Sequence, residues 1–137
     1  MTIRAMLLTL VLAAGCSRSM ISSLNARSTL TPPDAFDCVM KAFEAEGFRR
    51  VSYDKDELRT AARRVNPKYT VSNVSFQKAY DQLEVDINSG SSGETEMAVK
   101  ASTIAEYFSQ AGQTYETMKT SAEAQEAART IASRCGG

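Results

Sequence analysis

Residues 81–101 read DQLEVDINSGSSGETEMAVKA, and the fold follows from this stretch. Leu83, Val85 and Ile87 alternate with Gln82, Glu84 and Asp86, the two-residue period of a strand with one buried face. Residues 88–93 are Asn, Ser and Gly only, the composition of a loose hairpin loop. Alternation then resumes, with Met97, Val99 and Ala101 on one side and Glu96, Ala98 and Lys100 on the other. Two such runs joined by a short polar loop predict an antiparallel hairpin, with strands over 76–87 and from about residue 94 onward.

Upstream, the period is helical. Thr31-Pro32-Pro33-Asp34 supplies an N-cap, a proline at the first helical position and an acid three residues after the cap. Phe36, Val39, Met40 and Phe43 recur at helical spacing and Gly47 is a stop, so residues 32–46 are expected to be an amphipathic helix. Residues 48–54 form a short stretch with β-branched and aromatic residues, Asp54-Lys55-Asp56 reads as a turn, Glu57 to Val65 returns as a second strand, and Asn66-Pro67-Lys68 breaks the chain. Downstream, residues 104–118 fit two patterns. Ile104, Phe108, Ala111, Tyr115 and Met118 share a helical stripe, whereas Gly112 and the β-branched residues favour a strand to about Phe108 followed by a loop, the preferred reading. Thr120-Ser121-Ala122-Glu123 is a capping box, and Ala124, Ala128, Ile131 and Cys135 line a narrow apolar face of a last helix ending at Gly136. The expectation is an α+β domain over 32–137, ordered α-β-β-β-β-α, with two helices packed on one face of a four-stranded antiparallel sheet.

Composition narrows the function. The chain has 137 residues, 43% hydrophobic and 23% charged, which fits one globular domain. Lys+Arg and Asp+Glu are both 16, so no overall field selects nucleic acid, and none is expected as a partner. The absence of His removes the commonest metal ligand and the side chain best suited to proton transfer near neutral pH. No phosphate-cradling glycine loop, nucleophile elbow or metal-ligand cluster is present, so neither a cofactor nor a metal is expected.

The beginning of the chain carries an address. Arg4 precedes an apolar run of ten residues, Ala5 to Ala14, which is shorter than the roughly 20 residues of a spanning helix and fits the core of a secretory signal. The run ends in Leu12-Ala13-Ala14-Gly15-Cys16, which resembles the lipobox of bacterial lipoproteins. The usual leucine three places before the cysteine is Ala13 here, with Leu12 one place further out. The resemblance covers residues 1–17 and implies that residues 1–15 are a signal peptide. Cys16 would receive a diacylglyceryl group, cleavage would fall just before it, and the new amino terminus would be acylated. Two or three acyl chains hold a protein stably on a membrane, at about 0.8 kcal/mol per buried CH₂. Ser17 in the next position favours the outer membrane, facing the periplasm, in a two-membrane envelope. The alternative is an ordinary signal peptide whose cysteine is incidental. Residues 16–31, rich in Ser and Thr, read as a flexible tether, with a short helix through Met20, Ile21 and Leu24 as the other possibility.

Three groups of residues carry candidate chemistry. With Cys16 lipidated, Cys38 and Cys135 are the remaining cysteines, and an oxidising envelope favours a disulfide between them over two buried thiols. Glu84 and Asp86 share a strand face about 7 Å apart, a glycosidase-like spacing, although an exposed acidic face gives the same pattern; with Asp81 they lack the tighter spacing and glycine turn of an ordinary calcium loop. From Arg49 to Lys68 seven cations (Arg49, Arg50, Lys55, Arg59, Arg63, Arg64, Lys68) face three acids, a net of +4, whereas Asp81 to Glu126 holds nine acids and two lysines, a net of −7. The basic hairpin, with Arg49, Arg50, Arg59, Arg63 and Arg64, fits an acidic envelope protein or an anionic headgroup, or else its cations pair across strands with the acids of the next hairpin. Tyr53, Tyr69 and Tyr80 either interleave with these arginines or edge the core. The expected function is a lipid-anchored, non-enzymatic binding or assembly module. The alternatives are a carboxylate-dependent hydrolase of cell-wall glycan and a small-molecule carrier, for which the apolar residues suffice only to fill a core.

Overall fold

A computed structural model describes residues 20–136. The expected signal peptide, Cys16 and the first part of the expected tether lie outside the described residues. The elements are β1 (Ser22–Ser28), α1 (Pro32–Ala45), β2 (Arg49–Asp54), β3 (Arg59–Val65), β4 (Phe76–Ser89), β5 (Thr95–Ser109), β6 (Gly112–Met118) and α2 (Ala122–Cys135). The chain is α+β, with two helices and one six-stranded sheet in the order β1-β5-β4-β3-β2, β6 also pairing with β5. All five strand pairs are antiparallel.

The sheet has six strands and not the four expected, and both additions sit on the same edge of β5. Residues 95–101 of β5 pair with β1 and residues 103–109 with β6, so these two strands lie end to end along one long partner. Residues 22–28 are therefore a strand and not tether. β1 was hidden because its core-facing side is small and weakly apolar: Ser22, Leu24, Ala26 and Ser28 alternate with exposed Ser23, Asn25 and Arg27. Its burial pattern is that of a strand, but its composition is that of a linker. β6 follows β5 through a turn at Gln110 and Ala111, and Gly112 takes a φ of 109°, a conformation that a side chain disfavours. The loop expected after Phe108 is thus a hairpin.

The core joins both helices to alternate strand residues. Phe36, Val39 and Phe43 of α1 and Ala124, Ala128 and Ile131 of α2 belong to one buried cluster with Leu83, Val85, Ile87, Met97, Val99 and Ala101. The even-numbered side of β4 and β5 (Gln82, Glu84, Asp86, Glu96, Lys100) is the outward side, as alternation requires. Each helix is capped as its sequence dictates. Thr31 accepts a hydrogen bond from the Asp34 amide, with prolines at the first two helical positions. α2 is capped by Ser121, which accepts from the Ala124 amide, and not by Thr120. Thr120 instead donates to the carbonyls of Met20 and Ala101. Thr31→Ala is expected to cost about 1 kcal/mol, read as a small shift of the urea midpoint at constant slope.

The second strand of the first hairpin starts two residues later than expected. Asp54 Oδ1 accepts from the amides of Asp56 and Glu57, and Leu58 closes the turn at a φ of 52°. Glu57 and Leu58 therefore belong to the turn, and β3 starts at Arg59. A β-bulge at Val51 shifts the register between Arg50 and Ser52.

Candidate functional site

β2 is one edge of the sheet, and all six of its residues are exposed. Arg49 pairs in register with Arg63, and Arg50 with Ala62, so alternation puts the two β2 arginines on opposite sides of the strand. The five arginines of this hairpin have separate fates. Arg59 Nε lies 2.9 Å from Asp86 Oδ1, its cross-strand neighbour. Arg64 turns toward the core. It donates to the Glu46 carbonyl at 2.8 Å, lies over the Phe48 ring at 4.4 Å, and stands 3.9 Å from Asp81. Arg63 donates to Gln82 at 2.6 Å, and Arg50 lies over the Tyr53 ring at 4.6 Å. Among the described residues Arg49, Arg50 and Arg63 make no ion pair. Cross-strand pairing thus accounts for Arg59 and Arg64, and the hairpin arginines left without an acid are Arg49, Arg50 and Arg63. Arg49 and Arg63 directly oppose one another, which is unfavourable until an anion or water screens them.

The acidic trio separates as well. Asp81 does not join Glu84 and Asp86, because odd and even residues of β4 face opposite ways. Asp81 is fully buried. Its Oδ1 accepts from Thr103 Oγ1 at 3.0 Å and from Ser121 Oγ at 2.7 Å, and its Oδ2 accepts from Asn66 Nδ2 at 3.1 Å. The Thr103 hydroxyl in turn accepts from the Ser121 amide. Asp81 therefore fastens the first turn of α2 to the middle of the sheet. Asp86 is engaged by Arg59, and Glu84 lies opposite Lys100 and accepts from Gln82 at 3.4 Å. The depression around them is lined by Ser52, Arg59, Ala61 and Lys100 as well. Among the described residues no group of three or more Cys, Asp or Glu side chains is placed to hold a metal ion.

The tyrosines divide between core edge and surface. Tyr53 packs against Phe36 with ring centroids 5.4 Å apart, and the Tyr69 hydroxyl reaches the Lys119 carbonyl. Tyr80 lies on the outward side, where it donates to Glu106 at 2.9 Å and receives Lys78 over its ring at 5.4 Å. Tyr80, through hydrogen bonding and charge, and Glu106 through charge hold the Lys78 ammonium above its ordinary value.

Sequence reasoning missed the surface beyond this tyrosine. Val65, Tyr80, Ile104 and Thr117 form one row across β3, β4, β5 and β6. Lys78, Glu106 and Tyr115 form the next, and Phe108 lies beyond them. Val65, Phe108 and Tyr115 are 48%, 61% and 54% exposed. The patch takes one aromatic residue from each of β4, β5 and β6, so β6 had to be recognised before Tyr80, Phe108 and Tyr115 could share a face.

Glu123, in the first turn of α2, is held below the usual carboxylate range by a backbone amide and by Asn66. A depressed carboxylate stabilises above its unfolded value, and that contribution is lost as pH falls through the folded value. Acid titration of Glu123→Gln is therefore expected to show a shallower loss of stability below the ordinary carboxylate range than the parent chain.

Cys38 and Cys135 are joined by a disulfide that links α1 to α2, with Cα atoms 5.7 Å apart. No helix among the described residues is long and apolar enough to cross a membrane. A scan against protein-family models finds none that matches this chain, and a search of curated proteins finds no match.

Proposed function

We propose that this protein is a lipid-anchored component of a bacterial envelope, attached through Cys16 and facing the periplasm from the outer membrane, and that its domain is a non-enzymatic binding module. The observation that carries this is the apolar run ending in Leu12-Ala13-Ala14-Gly15-Cys16, followed within a few residues by a folded domain. The disulfide is consistent with an oxidising compartment. Both helices are taken to cover the face that carries Leu83, Val85 and Met97, which leaves the outward side for recognition. Arg49 and Arg63 on that side, and Arg50 on the other side of the β2 edge, offer charge to an acidic partner. An exposed edge strand also invites strand addition, and its arginines discourage pairing with further copies of this chain.

Mass spectrometry of the mature protein tests the anchor. A diacylglyceryl mass on a polypeptide beginning at Cys16 is expected, and Cys16→Ala is expected to leave an unlipidated product that does not partition with membranes. Normal membrane partition of that variant refutes the anchor. For the binding edge, Arg49→Glu with Arg50→Glu is expected to weaken association with the envelope partner by roughly tenfold, more so at low salt. Unchanged affinity across ionic strength removes the basic edge from the function.

A further inference from the structure

Resting on the lipid attachment proposed above, we infer that the far end of the outward sheet face docks on the bilayer itself. The docking patch is Val65, Tyr80, Ile104, Tyr115 and Phe108, flanked by Lys78 and Arg63. Three observations support this partner. The first is the leash. Cys16 precedes Met20 by four residues, which span at most roughly 14 Å when fully extended. The Met20 carbonyl is fixed to Thr120, two residues after β6 ends. Because β1 and β6 meet end to end on β5, the chain enters the domain beside β6, and a lipid on Cys16 confines the bilayer to that neighbourhood.

The second observation is the chemistry of the patch. Phe108 and Tyr115 are more than half exposed, although a soluble surface gains nothing from presenting them. Two tyrosines and a phenylalanine beside Lys78 and Arg63 are the residue types that settle at the headgroup level, with apolar rings inward and polar tips in water. The third is charge. Lys78 stands opposite Glu106 across β4 and β5, while Arg49 and Arg63 stand together without an acid, so the edge of the face beside Val65 suits anionic headgroups. A bilayer supplies both partners at once. The apolar side chains enter its interface while the arginines meet phosphates.

The chain has no Trp, so one introduced indole reports alone. Full-length Phe108→Trp, isolated with its lipid, would be placed in vesicles of phosphatidylglycerol and phosphatidylethanolamine carrying brominated acyl chains. The expected result is a blue-shifted emission quenched roughly twofold or more relative to unbrominated vesicles, since quenching needs burial at the acyl boundary. Ser133→Trp, on the exposed side of α2, is expected to stay unquenched. An unshifted, unquenched indole at position 108 overturns the docking, as does equal quenching at position 133. Intact mass of the recovered protein separates the two layers of inference. A lipidated but unquenched protein defeats only the docked orientation, whereas an unlipidated one defeats the anchor and the docking together.

Discussion

Asp81→Ala is expected to lower the unfolding free energy by about 3–5 kcal/mol, the range for removing one partner of a buried charged network. The carboxylate is fully buried and accepts from Thr103, Ser121 and Asn66, with the Arg64 guanidinium 3.9 Å away. Truncation leaves these donors facing a cavity, and each unmade buried hydrogen bond costs about 1–3 kcal/mol before relaxation. The α2 cap suffers too, because Ser121 both donates to Asp81 and accepts from the Ala124 amide. For a domain of this size the melting temperature should fall by about 10–20 °C. Asp81→Asn is the sharper test. Its amide oxygen can still accept from Thr103 and Ser121, but its NH₂ meets the Asn66 donor and Arg64, so a loss smaller than that of the alanine variant is expected. A loss below about 1 kcal/mol for Asp81→Ala would mean that water or rearrangement replaces the network. Thr103→Val combined with Ser121→Ala should be less than additive with Asp81→Ala, because all three act on the same oxygens.

Removing the Cys38–Cys135 bond is the second large effect. The two residues are 97 apart in sequence, and closing a loop of about 100 residues stabilises by about 4–5 kcal/mol in the chain-entropy model. The bond links the two helices, and its sulfurs lie at the edge of the shared core, Cys135 fully buried and Cys38 partly so. Cys38→Ala with Cys135→Ala, or reduction with dithiothreitol, should lower the melting temperature by many degrees. The denaturant slope should rise as well, because the cross-link compacts the unfolded chain and its loss exposes more surface on unfolding. Equal midpoints with and without reductant would show that the two cysteines are not bonded in the native protein.

The legible parts of the sequence were those where burial and period coincide. Leu83, Val85 and Ile87 opposite Met97, Val99 and Ala101 read directly as paired strands because each residue's side is set by its parity. Pro32–Ala45 and Ala122–Cys135 were readable because capping is local chemistry within one turn. β1 was not readable, since Ser22, Asn25 and Arg27 have no strand signal of their own and are ordered by the open edge of β5. β6 is mostly exposed on both sides, so no hydrophobic period marks it. The candidate surface divides the same way. The positive charge of residues 49–68 is a sum over the chain, but which arginines remain unpaired depends on the partner strand. β4 supplies Asp86 to Arg59 and only Gln82 to Arg63.

The chain by itself determined its two helices and its central hairpin, because these rest on local capping and on residue parity. Tertiary structure decided that Asp81 meets Ser121 and so fastens α2, that Ser22–Ser28 joins the sheet, and that Val65, Tyr80, Ile104 and Tyr115 share one face. Those outcomes depend on registers between strands far apart in sequence. A register is fixed by the energy of a whole ladder and its core, and no short segment carries that energy alone.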